Sequence, residues 1–93
     1  MRTIERSSAF KRDYKRESKG QHRTKLDDML KSVLLALVTD QPLDARYLDH
    51  DLSGDWAGYR ECHIKPDLLL ICRKSDSDTL KLARLGSHSR LFG

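Results

Sequence analysis

Cysteine is scarce in this chain, with only Cys62 and Cys72 among 93 residues. Two thiols that lack the close spacing of a metal knuckle neither staple a disulfide scaffold nor outline a zinc site. Both fall in strand-like segments, so buried free thiols are expected. Long apolar runs are missing too. No stretch approaches the length needed to cross a bilayer, and the opening segment MRTIERSSAFKRDYKRESKG has no apolar run of the kind a secretory signal carries. The expectation is a soluble, cytoplasmic protein with no membrane role. Proline occurs twice, at Pro42 and Pro66, and no repeat, low-complexity tract or Pro/Gly/Ser linker marks a boundary. Residues 1–93 therefore read as a single domain, large enough for one modest core and one site.

Charge, by contrast, is plentiful. Lys and Arg number 18 against 14 Asp and Glu, a formal net charge of +4 with a pI near 9.3. That balance favours a polyanionic partner or an acidic protein, with a merely solvated surface as the plain alternative.

Arg2 to Arg6 reads as a short first strand. Ser7 or Ser8 can cap a helix through Phe10 and Tyr14 that Gly20 stops. Its other positions hold Lys11, Arg12, Lys15, Arg16 and Lys19, so only a narrow stripe can face a core. Leu26, Met29, Leu30, Val33, Leu34, Leu37 and Val38 recur at helical steps, the pattern of a second helix packed on a sheet, with Thr24 and Asp27 resembling a capping arrangement at its start. Asp40, Gln41 and Pro42 end it, and a loop from Leu43 to Asp55 follows. WAGYRECHI, DLLLICRK and TLKLARLGSH then read as three strands, separated by Lys65-Pro66 and by the polar run from Ser75 to Asp78. Short connections favour antiparallel neighbours. The order implies an α+β fold, with two N-terminal helices on one face of a small, mainly antiparallel curved sheet and the other face free for substrate.

The chemistry gathers toward the C-terminal half, in His50, His63, Asp67 and His88, with Phe92 just before the end. Imidazole is the one side chain that titrates near neutrality without perturbation, so such a group suggests acid–base catalysis. Arg60, Lys65, Arg73, Arg84 and Arg90 supply cations suited to a substrate made of phosphates. The combination points to an RNA-cutting enzyme. His22, in a basic helix connection, reads as structural, and Trp56 and Tyr59 read as packing with Gly54 and Gly58 easing the backbone around them.

Two stretches carry a family resemblance: LDHDLSGDWAGYRECHIKPDLLLI and the ending ARLGSHSRLFG. A His, then Gly-x-Trp-x-Gly-Tyr-Arg, His-x-x-x-Asp and a terminal Gly-x-His-x-x-x-Phe-Gly follow one another in the order seen in YafQ-type toxins of the RelE/ParE superfamily. These are the toxin halves of type II toxin-antitoxin pairs. The resemblance implies a RelE-like fold and a ribosome-dependent mRNA endonuclease without cofactor or metal. Its expected partners are mRNA in the ribosome and a cognate, DNA-binding, DinJ-like antitoxin that joins it in a hetero-oligomer. It also places His50, His63, Asp67 and His88 on acid–base positions, Arg84 on a phosphate contact and Phe92 on a substrate-contacting aromatic.

Cutting RNA without a metal requires a base on the ribose 2'-hydroxyl, an acid on the departing 5'-oxygen and fixed cations for the charge gained in between. Asp67 and His88 are the expected proton-transfer pair, with either assignment of base and acid open. His50 and His63 then position the phosphate or tune their neighbours, Arg84 is the permanent cation, and Phe92 stacks on a base, a contact worth roughly 1 to 3 kcal/mol. Two other readings stand beside this one: a metal-dependent hydrolase using the same His and Asp groups as ligands, and a non-catalytic binder of a protein target.

Overall fold

The computed structural model describes residues 1–93. Strand β1 (Thr3–Arg6) leads into helix α1 (Ser8–Glu17), whose start is fixed by the Ser7 hydroxyl accepting from the Phe10 amide at 3.0 Å. Helix α2 (Leu26–Val38) buries Leu26, Leu30, Val33, Leu37 and Val38, the expected apolar stripe. Its start differs from expectation. Lys25 precedes the helix and makes no side-chain cap, since an ammonium cannot accept from a backbone amide, and the Asp27 carboxylate accepts from the Tyr14 hydroxyl of α1. Asp27 and Asp28 still favour the positive end of the helix from its first turn.

The segment expected to be a loop from Leu43 to Asp55 has structure of its own. A short helical turn at Ala45–Tyr47 precedes strand β2 (His50–Asp51), and a second begins at Gly54. Strands β3 (Arg60–Lys65), β4 (Leu68–Asp76) and β5 (Thr79–Gly86) follow, and the chain closes with a helix unforeseen in the sequence, α3 (His88–Phe92), capped by the Ser87 hydroxyl. The sheet order is β1-β5-β4-β3-β2, with β1 parallel to β5 and every other pair antiparallel.

Both helices bury their apolar stripes on one face of the sheet, against Cys62, Ile64, Leu68, Leu70, Cys72, Leu80, Leu82 and Leu85. Both cysteines are free and enclosed there, and burial pushes the Cys62 thiol up and that of Cys72 to about 11, so they pack as neutral groups. The opposite face is not left bare. Leu69, Ile71, Ala83 and Leu91 form a second, smaller cluster there, roofed by α3 and by Leu52, Trp56 and Tyr59. A central strand covered on both sides explains the unbroken run Leu68–Ile71, all four at 0% exposure.

Strand β1 pairs only with residues 79–82 of β5, which leaves the C-terminal half of that edge open. Helix α1 closes it with side chains. The Ser7 hydroxyl donates to the Ala83 carbonyl at 2.8 Å, the Asp13 carboxylate accepts from the Leu85 amide at 3.0 Å, and the Arg16 guanidinium donates to the Leu85 carbonyl at 2.9 Å. Gly86 follows because a Cβ there would sit 2.7 Å from the Arg16 Nη2. The edge that leads to His88 is thereby fixed by the first helix.

Candidate active site

Alternation along β3 separates two jobs. Cys62 and Ile64 enter the helix-side core, so Glu61 and His63 face the other way. The β2–β3 register sets His50 opposite Glu61, and the rings of His50 and His63 lie 6.3 Å apart at 40°. His63 Nε2 is 2.9 Å from the Glu61 carboxylate, which is buried. His50 Nδ1 approaches the Leu48 carbonyl at 2.6 Å and must donate to it, since a carbonyl only accepts. In the neutral imidazole this leaves Nε2 as the unprotonated nitrogen.

From His63 a single register row runs across the sheet to Leu69 and on to Gly86. Two strand spacings separate the ends of that row, roughly 10 Å. Just past Gly86, His88 opens α3 on the surface, and its ring lies 5.0 Å from that of Phe92 one turn later. His50 and His63 thus stand at one end of that row and His88 and Phe92 at the other, with Leu69 enclosed between them beneath α3 and the packing of Leu52, Trp56 and Tyr59.

Asp67 and Arg84 are held differently from expectation. Asp67 lies in the turn between β3 and β4, where its carboxylate takes Gln21 at one oxygen and His22 Nε2, 3.2 Å away, at the other. No hydrogen bond joins it to His88. Arg84 is a tethered cation: it grips Asp13 through Nε at 2.7 Å and Nη2 at 3.2 Å, and that pairing raises its pKa further. Burial pushes the Asp13 carboxyl up, but hydrogen bonds from Arg84, the Leu85 amide and Arg16 outweigh it and hold the group below its usual value. Of the guanidinium's five N–H groups, those not used by Asp13 remain for an anion.

The expected cations divide similarly. Arg60 is paired with Asp49 and Asp51, and Arg73 lies over the Tyr59 ring at 5.6 Å, while Lys65 and Arg90 form no ion pair. A cleft of about 690 Å³ beside His63, between α2 and the Ala45–Tyr47 turn, is lined by Lys25, Arg46 and Lys65 together with Asp28. No three His, Cys, Asp or Glu side chains converge to hold a metal ion.

Sequence reasoning missed three residues here. Glu61 was legible, because position i−2 on a strand shares a face with His63. Asp13 left a fainter trace, an acid three residues after Phe10 on the narrow stripe of a basic helix. His22 left none, since only the folding of the α1–α2 connection onto the β3–β4 turn brings it to Asp67.

Residues 2–93 match the model of a family described as the bacterial toxin of type II toxin-antitoxin systems, YafQ. The chain belongs to the YafQ family. It is 40% identical over 93 residues to the mRNA interferase toxin YafQ of Escherichia coli, covering 99% of this chain and 97% of that one. A crystal structure of YafQ from Escherichia coli superposes with a TM-score of 0.83 at 38% identity, covering 100% of both chains. YafQ in a crystal structure of the Escherichia coli DinJ-YafQ complex does so at 0.82 and 39%, again covering 100% of both. The YafQ fold is therefore shared from end to end. No helix of the chain is long and apolar enough to cross a membrane.

Proposed function

We propose that this chain is an mRNA interferase, the toxin of a type II toxin-antitoxin pair. It cuts mRNA in the ribosome, in the cytoplasm, by metal-independent attack of the ribose 2'-hydroxyl on the neighbouring phosphate. The observation that carries this reading is the placement of the site residues at the two ends of one register row, in a chain of the YafQ family: His50, Glu61 and His63 at one end, His88 and Phe92 at the other. A phosphodiester reaching from one end of that row to the other has His50 and His63 on one side to hold its charge and His88 on the other to move a proton. Asp67 at the turn and His88 are the proton-transfer pair in this reading, His50 and His63 hold the phosphate, and Phe92 stacks on a base. Arg84 contributes its outer edge as a pre-oriented anion receptor.

The partner that restrains the toxin in this reading is a cognate antitoxin of the DinJ kind. A groove of about 620 Å³ between α1, α2 and β1 is lined by Ile4, Phe10, Leu34 and Leu35, and its charged rim has Arg6, Lys11 and Lys31 against the single acid Asp27. Ile4 and Leu35 are exposed in the free chain. An apolar floor with a cationic rim fits an acidic amphipathic segment, and β1 at the sheet edge adds unpaired backbone groups for it.

The test is cleavage of an mRNA on translating ribosomes and of the same RNA free in solution. The expected result is cutting within the reading frame on the ribosome, little on free RNA, and products ending in a 2',3'-cyclic phosphate. Cleavage should persist with EDTA when magnesium is balanced to keep ribosomes intact. Products with a 3'-hydroxyl would favour the metal-dependent alternative, and equal cutting of free RNA would remove the ribosome from the mechanism.

A further inference from the structure

His22 lies in the connection between α1 and α2, far along the chain from the β3–β4 turn, yet its Nε2 is 3.2 Å from Asp67 Oδ1. Gln21 donates to the other carboxylate oxygen. The histidine is the more enclosed partner, with 16% of its side chain exposed against 53% for Asp67. A half-exposed aspartate on a turn has no strand or helix packing to choose its rotamer. Two donors from a separate segment, one on each oxygen, fix both the position and the plane of the carboxylate. An ionised carboxylate has about four acceptor sites, so gripping one on each oxygen leaves room for a substrate hydroxyl.

We propose that His22 is a positioning residue for Asp67: together with Gln21 it orients the carboxylate for proton transfer and touches no substrate itself. The logic is that of any acid–base group steadied by a third residue, here supplied by a helix connection instead of a neighbouring strand. The proposal rests on the reading of Asp67 as an acid–base group.

The experiment measures single-turnover cleavage at saturating ribosomes and, separately, ribosome affinity, for Asp67→Ala, His22→Ala, His22→Asn, Gln21→Ala and the double variants of the last three with Asp67→Ala. His22→Ala should lose about 10- to 100-fold in cleavage rate, the scale of a misplaced catalytic group, with ribosome affinity unchanged. His22→Asn, whose amide can still donate, should recover part of that loss. In the Asp67→Ala background none of the three changes should lower cleavage further, because a residue acting only through Asp67 has nothing left to position. Equal losses with and without Asp67, or wild-type cleavage by His22→Ala, would overturn the proposal. If His22→Ala does not fold, the same non-additivity is read from His22→Asn and from Gln21→Ala at an exposed site. Wild-type cleavage by Asp67→Ala would instead remove the reading of Asp67 beneath it, so the two failures are told apart by that one variant.

Discussion

The two faces of the sheet are made from alternate residues of the same strands and have almost opposite compositions. On the helix side, Cys62, Ile64, Leu70 and Leu82 belong to a continuous cluster of 14 buried residues. On the other side only Leu69, Ile71, Ala83 and Leu91 are fully enclosed apolar groups, and Glu61, His63, His50 and His88 border them. The first face holds the chain together, and the second has just enough apolar area to seat α3, with the site residues along its borders. A shift of one residue in the β3 register would exchange the two sets, putting His63 into the core and Ile64 into the site. The bulge between His63 and Lys65 lies at the end of that strand, where it redirects the chain into the Asp67 turn without disturbing the alternation before it.

The division of labour between the faces fails if a change on the site face alters stability, or one on the helix face alters only chemistry. The largest expected effect is on the site face. His88→Ala should lower single-turnover cleavage by roughly 10² to 10⁴-fold, the span for losing one acid–base participant, and leave the melting temperature unchanged because the ring is exposed. On the helix face, Leu70→Ala should cost about 2 to 5 kcal/mol of unfolding free energy in a denaturant titration, since the side chain is fully enclosed. Folded Leu70→Ala protein should cleave at the wild-type rate. A smaller effect is expected from Phe92→Ala, which should weaken productive binding of the nucleotide by about 1 to 3 kcal/mol, read as slower cleavage with unaltered ribosome affinity.

The smallest effect sharpens the comparison at the edge where the faces meet. Folding lowers the Asp13 carboxyl below its ordinary 3.8, through Arg84, the Leu85 amide and Arg16 acting against burial. A group lowered in the native state contributes stability above its unfolded pKa, and that contribution is lost as pH falls through the native value. Melting temperature should therefore fall on acidification below 3.8, and Asp13→Asn should lower it at neutral pH while flattening that acid limb. An acid limb unchanged in Asp13→Asn would show that other carboxylates set it.

Much of the fold was legible because periodicity is a local property. The apolar steps of α2 and the Ser7 cap follow from rules acting over a few residues and lie where expected, whereas the strand read from Trp56 begins only at Arg60, after a helical turn at Gly54–Trp56. Helix α3 was not legible, since five residues have too little periodicity to betray a helix, and Leu91 is buried only because Leu69 and Ile71 await it. The same division runs through the site. The residue types that carry chemistry, His50, His63, Asp67, His88 and Phe92, were legible in the chain alone, whereas the nearness of His50 to His63 came from β2, in a segment expected to be a loop. Glu61, two residues from His63 on one strand, was within reach of local rules, and only the assembled fold set the distant partners, Asp13 beneath Arg84 and His22 against Asp67. The physical reason is range. A hydrogen bond between segments dozens of residues apart depends on where whole helices come to rest, and that is set by burial of the apolar face summed over the chain, not by the polar residues that end up in contact.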